Sequence, residues 1–258
     1  MTFAARRSHA VMRARRAVER LLNGIGIQAQ RTSAWSVWQL RLVDLLAQHQ
    51  VRTVIDVGAN DGSYAADLIR WGYRGRILSF EPLPEAWRRL HDRARPHAGN
   101  WLVAPPVALS DRSGEAAFHE AGNSVSSSLL AMTPHHVAAA PDSAPLRTIK
   151  VKTETLDAAL ESVDGAPYFL KLDVQGAEGK VLAGAADTLD RAVLGVQLEM
   201  SLAPLYECQS DAGALDAFLR SRGFECWDLI PVFRHPGTLR LLQYDAIYFK
   251  TPRGARAC

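Results

Sequence analysis

The sequence predicts one doubly wound, mostly parallel α/β domain, and three observations predict it. Short β-rich apolar runs alternate with helical patterns from Val51 onward, the alternation that lays parallel strands between two layers of helices. The first of these runs closes on a glycine-rich turn, Asp56-Val57-Gly58-Ala59-Asn60-Asp61-Gly62. The length of 258 residues and the 48% of hydrophobic residues suit an undivided α/β fold with a sizeable core.

Residues 1–34 stand apart from this pattern. In residues 1–22, Arg6, Arg7, Arg13, Arg15, Arg16 and Arg20 meet one acid, Glu19. Ala10, Val11, Ala14, Ala17, Val18, Leu21 and Leu22 recur at helical spacing, so a basic amphipathic arm is expected. An apolar h-region and a small-residue cleavage site are missing, which excludes a secretory signal. Two readings of the arm stay open: a solvated or domain-packed helix, and attachment to an anionic membrane surface or polymer. Helices around Trp35–Ala47 either cover the sheet or meet a partner subunit, which leaves an oligomer open.

The domain proper is expected over residues 35–250, with a tail at 251–258. Arg52–Val57 reads as the first strand and Ser63–Trp71 as its helix, closed by Gly72. Arg76–Phe80 is a second strand ending at Glu81-Pro82, followed by a helix over Pro84–Arg95. Leu102–Leu109 is a weaker strand, because Pro105 and Pro106 lie inside it. Glu115–His119 is a short strand, and residues 120–148, rich in Ser, Ala and Pro, are either a substrate lid or a surface loop. Strand character resumes over Ile149–Thr153, and Thr153 or Thr155 caps a helix over Thr155–Leu160. Tyr168–Val174 is an apolar strand broken by Lys171 and Asp173, with a helix over Glu178–Ala186. A strand at Ala192–Met200, a helix at Asp211–Arg222 and strands at Phe224–Leu229 and Tyr244–Phe249 complete the domain.

Ligands of such sheets bind beyond the carboxyl ends of the strands. Glycines at both ends of the 56–62 turn let the backbone approach a ligand, and the next helix presents free amides. A dinucleotide fold would need Gly-x-Gly-x-x-Gly; here an acid precedes Gly58 and the next glycine, Gly62, comes four residues later. That acid, Asp56, suits a cationic amino-acid or sulfonium ligand and repels a diphosphate. Glu81, at the end of the second strand, can accept hydrogen bonds from both hydroxyls of a ribose.

With these residues in place, the chain resembles the FkbM family of S-adenosylmethionine-dependent methyltransferases over roughly residues 52–250. The resemblance rests on Val54–Gly62, on Phe80-Glu81-Pro82, on Ala108-Leu109-Ser110-Asp111 and on Ser126-Ser127-Ser128-Leu129. Most distinctive is Leu170-Lys171-Leu172-Asp173-Val174-Gln175-Gly176-Ala177-Glu178, and Glu199 closes the set. It implies a Rossmann-like class I methyltransferase sheet with a C-terminal antiparallel strand, S-adenosyl-L-methionine as cofactor, and methylation of hydroxyl groups on natural products, sugars or glycolipids. It also implies that Gly58 with its neighbours Asp56, Asn60, Asp61 and Gly62 holds the methionine part. Glu81 with Pro82 would take the ribose, Ala108 and Leu109 would line the adenine pocket, and Asp173 would reach the same cofactor. One departure is visible: the family usually carries Glu where this chain has Gln175.

Methyl transfer is an in-line displacement that needs an acceptor oxygen about 3 Å from the methyl carbon, and an alcohol must lose its proton to a general base. Asp173 and Glu199, each at a strand end, are the candidates. Lys171 shares a strand face with Asp173, and an ion pair of Lys171 with Glu178 or Asp173 would be a structural explanation for it. His135 and His136, in the expected lid, are a rival source of base. The two carboxylates could instead hold a divalent cation that acidifies the hydroxyl, a less favoured reading.

Other classes fit less well. A dehydrogenase has the wrong glycine spacing. A nucleic-acid methyltransferase could use the basic arm on phosphates, but the fourth main strand lacks an Asn-Pro-Pro-aromatic motif, and no cysteine stands beside proline at a strand end. A binding protein that kept the fold and lost catalysis is a third reading. Cys208, Cys226 and Cys258 match no zinc spacing and suit a reducing cytosol, with Cys226 expected in a buried strand. No apolar stretch reaches the ~18 residues of a membrane span, so a cytoplasmic location is expected.

Overall fold

A computed structural model describes residues 33–250; the basic arm and the tail, with Cys258, lie outside the described residues. The described chain falls in two compact units that divide between Leu42 and Val43. Helix α1 (Trp38–Gln48) crosses that division. In the first unit Arg41 donates to the Ala34 carbonyl at 2.8 Å, and Trp35 stands exposed.

The second unit is built on a seven-stranded sheet. Its strands are β1 (Thr53–Val57), β2 (Arg76–Phe80), β3 (Trp101–Val103), β7 (Tyr168–Leu172), β8 (Val193–Ser201), β9 (Phe224–Arg234) and β10 (Leu241–Lys250). Their order is β3-β2-β1-β7-β8-β10-β9. The first five run parallel, and β10 lies antiparallel to both β8 and β9. The result is a Rossmann-like, mostly parallel α/β sheet with an antiparallel C-terminal strand. Every residue of β1 and β7 is buried, as expected of strands covered on both faces. Ile55, Val57, Leu170, Leu172, Val196 and Leu198 form the centre of the core.

The helices of this unit are α2 (Ser63–Arg70), α3 (Pro84–Ala94), α4 (Pro134–Ala139), α5 (Leu156–Ala159), α6 (Glu178–Ala183), α7 (Ala186–Arg191) and α8 (Ala212–Ser221). Thr155 caps α5 through the Ala158 amide, and Asp211 caps α8 through the Ala214 amide, each satisfying a donor the helix leaves free. The helix expected over Glu178–Ala186 is instead two helices. Gly184 separates them at a point where a Cβ would fall on the Ser110 carbonyl, so the chain turns where only glycine fits.

A second correction concerns the strand expected over Leu102–Leu109. It divides in two: β3 joins the large sheet, and β4 (Ala108–Leu109) joins a small sheet of order β4-β6-β5, with β5 (Gly114–Ala121) and β6 (Pro145–Glu154). Pro105 and Pro106 between them have no N–H to give a ladder. The stretch 120–148 carries the end of β5, helix α4, two 3₁₀ turns and the start of β6. Strand β9 runs five residues past its expected end at Leu229, and Cys226 in it is only partly buried. Among the described residues no helix is long and apolar enough to cross a membrane.

Candidate active site

Chain order reverses between β1 and β7, and a crevice opens beyond the strand ends at such a point. The turn after β1 enters it with Gly58, Asn60 and Gly62 all at positive φ. At Gly58 the demand is twofold. A Cβ would fall on the Asp173 carbonyl oxygen, and φ is +73°, a conformation that side chains other than glycine's adopt at a cost. This contact, with the Asp173 amide donating to the Val57 carbonyl at 3.1 Å, holds the turn against the end of β7.

Glu81 is 5% exposed. The Asn60 amide donates to its Oε2 and the Leu83 amide to its Oε1, both at 2.8 Å. Burial pushes this carboxyl up to about 7, against the opposing pull of those two amides. The cleft that Glu81 faces encloses about 590 Å³ with its open mouth, within the range of small-molecule sites. Its lining includes the Gly58 backbone and the polar Asn60, Glu81 and Asp173, together with the apolar Pro82, Ala108, Leu109, Phe118 and Leu129.

Three residues expected at the cofactor do not line this cleft. Asp61 turns to Arg93, 2.7 Å away, and accepts from the Ser63 amide and hydroxyl at the start of α2. Gly62 sits against Leu90 and Trp101, where a Cβ has no room. Asp56 lies beneath the cleft, fully buried. It belongs to a row of polar residues in register across the sheet, Ser79–Asp56–Lys171–Gln197, which therefore share one face.

Lys171 Nζ stands 3.2 Å from Asp56 Oδ1 and 3.7 Å from Asp173 Oδ2. It also donates to the Gly58 carbonyl at 3.3 Å. Burial by itself would lower the lysine; Asp56 and Asp173 outweigh it and raise Lys171, so the ammonium is retained. Burial pushes Asp56 up while Lys171 draws it back. The ionised pair is the stable state, because a neutral lysine would leave Asp56 buried without a counter-charge. The expected partner Glu178 is engaged elsewhere, accepting from the Val174 and Gly176 amides.

At the far end of the cleft the structure joins Asp173 and Glu199 through a residue between them. Gln175 Nε2 donates to Asp173 Oδ1 at 2.7 Å and to Glu199 Oε2 at 3.0 Å. Glu199 Oε2 also accepts from Gln243 Nε2 at 2.5 Å. Burial first, then Asp173, Asp245 and Glu178, hold the Glu199 carboxyl well above the ordinary carboxylate range. Asp245, pushed up to about 6 by burial, accepts from Gln197, whose Oε1 accepts from Tyr64. The Asp173 side chain is 40% exposed while Glu199 is 7% exposed, so Asp173 is the carboxylate that meets the cleft.

The two histidines are placed otherwise. His135 is exposed on α4. His136 is 3% exposed, with its ring centroid 5.1 Å from that of Tyr206 and 5.8 Å from that of Phe233. Burial lowers His136 to about 4. Neither lines the cleft. Among the described residues no three His, Cys, Asp or Glu side chains are grouped to hold a metal ion.

Sequence reasoning passed over Gln197, Gln243, Asp245, Tyr64 and Tyr206. A signal existed for the first three: Gln197 is spaced by two from Glu199, and Gln243 by two from Asp245. Polar residues at period two in a buried strand mark a polar face that must find partners.

A parallel sheet with this strand order, a glycine turn after β1 and an acid after β2 define a Rossmann-like domain of the methyltransferase type. The methyltransferase FkbM domain model matches residues 56–226, and the chain belongs to that family. A 2-O-methyltransferase, NoeI of Sinorhizobium fredii, is 31% identical over 167 residues, 60% of this chain and 66% of the relative. Among solved structures, a methyltransferase FkbM from Methylobacillus flagellatus KT aligns at 17% identity and a TM-score of 0.49, over 77% of this chain and 43% of that one. A SAM-dependent methyltransferase from Aquifex aeolicus aligns at 10% identity and a TM-score of 0.42, over 81% and 88%. The chain thus spans about two thirds of the NoeI relative and less than half of the FkbM structure.

Proposed function

We propose that the chain transfers a methyl group from S-adenosyl-L-methionine to a hydroxyl oxygen of a small molecule, a sugar, glycolipid or polyketide-like product. The observation that carries this reading is the cleft itself, which the Gly58 turn, Glu81 and Asp173 all line. The residues fit the cofactor. A backbone without a Cβ at Gly58 leaves room for close approach, Glu81 can accept from ribose hydroxyls, and Ala108, Leu109 and Phe118 offer an apolar bed for a base. The NoeI relative, a 2-O-methyltransferase, supports oxygen as the acceptor atom.

Bound S-adenosyl-L-methionine would supply an electrophilic methyl group. The chain's task is then to position the acceptor and take its proton. Asp173 is the general base: it is exposed to the cleft, tied on Oδ1 by Gln175, and has Lys171 3.7 Å from Oδ2. As the acceptor oxygen gains the methyl group, its proton passes to Asp173. Glu199, whose affinity for a proton burial raises, serves as a neighbouring hydrogen-bonding group.

Calorimetric titration of S-adenosylmethionine and S-adenosylhomocysteine tests the cofactor. Micromolar-range binding is expected, weakened about tenfold or more by Glu81→Ala, the scale of a lost charge-assisted hydrogen bond. Absence of binding to the folded chain overturns the reading. Binding with no transfer to any hydroxylated acceptor favours a non-catalytic binding protein, and transfer to nucleic acid favours the other rival.

A further inference from the structure

The acceptor end of the cleft poses an electrostatic problem. Asp173 and Glu199 share one donor, Gln175 Nε2; Asp245 of β10 lies opposite Glu199 in the sheet, and the charges of Asp173, Asp245, Glu178 and Lys171 all act on Glu199. Glu199 is buried, and the neighbouring Asp173 carboxylate adds to the rise in its affinity for a proton. One neutral side chain stands between them.

Gln175 is held by three side chains from three parts of the chain. Nε2 gives one hydrogen to Asp173 and one to Glu199, and Oε1 accepts from the Tyr206 hydroxyl at 2.7 Å. The orientation of the amide follows from chemistry: reversed, Oε1 would face two carboxylates and Nε2 a hydroxyl. Its backbone is held as well. Gln175 has φ +55°, a conformation that costs a non-glycine residue of order 1–3 kcal/mol. Its carbonyl accepts from the Ser128 hydroxyl at 2.7 Å.

We propose that Gln175 is a positioning residue that keeps Asp173 and Glu199 together as a usable pair, by placing a double donor where their charges would otherwise meet. This rests on Asp173 as the base. The amide fixes Oδ1 of Asp173 and leaves Oδ2 turned to the Lys171 side, and it offers Glu199 a hydrogen bond that favours its ionised form. A carboxylate in place of the amide would offer no hydrogen and add a third negative charge.

The test reads Glu199 directly, with no acceptor needed. Carboxyl-¹³C glutamate labelling, with Glu199→Gln to assign the signal, gives the pH at which Glu199 titrates in the full chain. Gln175→Glu should raise that midpoint by about one pH unit or more, a tenfold change in proton affinity. Gln175→Met, which keeps the bulk and removes the donor, should raise it by less. A Glu199 midpoint unmoved in both variants, with near-UV circular dichroism preserved, overturns the proposal. If Gln175→Glu does not fold, the Met variant alone decides by the same criterion. S-adenosylhomocysteine binding by the unsubstituted chain tests the underlying reading separately: loss there with a Glu199 shift intact would remove the base role and leave the tie.

Discussion

At the scale of single residues, the buried Lys171–Asp56 pair explains most about why this sequence needs charge in its core. Asp56 is fully buried and Lys171 is 6% exposed, in the middle strands of the sheet. Taking one charge away leaves the other without water or counter-ion, a cost of about 3–5 kcal/mol, whereas replacing both by apolar groups is often near neutral. Lys171→Met should therefore lower the stability measured by urea unfolding by about that much, and Lys171→Met with Asp56→Leu should recover a large part. A double variant no more stable than the single would show that the row Ser79–Asp56–Lys171–Gln197 acts through its hydrogen bonds and not through this pair. Lys171 also ties the Gly58 carbonyl to the sheet, so the pair shapes the floor of the cleft.

At the scale of elements, the junction between the β1 turn and the end of β7 is the point on which the cleft depends. Gly58→Ala puts a methyl group onto the Asp173 carbonyl and forces alanine to φ +73°; the turn and the strand end must part. The expected result is loss of S-adenosylhomocysteine binding together with a drop of several degrees in melting temperature, read by calorimetry and by thermal unfolding. Unchanged binding would mean that the cofactor lies elsewhere. This junction was legible in the sequence, because Gly58 follows a β-rich run at the place where chain direction must change. The acid at Glu81 was legible for the same reason. What was not legible depended on pairing distant in sequence. Asp61 looks like a cofactor residue until α3 brings Arg93 to it. The strand over Leu102–Leu109 looks continuous until its two halves join different sheets. His136 looks like a loop base until Tyr206 and Phe233 close over it. Gln175 showed only as a departure from a pattern; its function as a double donor needs the position of Glu199, twenty-four residues away.

At the scale of the whole molecule, the carboxyls gathered at the strand ends make stability depend on pH in a definite direction. Burial raises Glu81 and Glu178 to about 7 and Asp245 to about 6, against ordinary values near 4 in the unfolded chain. Between those limits the folded chain binds more protons than the unfolded one. Stability therefore falls as pH rises from about 4.5 to about 7, by up to about 1.4 kcal/mol per pH unit for each such group. His136, lowered to about 4, works the other way between about 4 and 6.5, where the unfolded chain takes the proton. Burial lowers His49 as well, but Asp56 and Glu199 join the raised carboxyls, so the first trend stays in command. Without ligand, the melting temperature should be higher at pH 5.5 than at pH 8. Glu178→Gln should flatten that slope, since an amide oxygen at its Oε1 still accepts from Val174 and Gly176 while the ionisation is gone. Bound S-adenosylhomocysteine should flatten it too, because ribose hydroxyls donating to Glu81 favour the ionised carboxylate. A melting temperature that climbs steadily to pH 8, with no change in Glu178→Gln, would mean that these carboxylates are ionised and fully satisfied in the folded chain. Their crowding at the cleft would then be a source of stability and not the cost that a site prepared for a ligand carries.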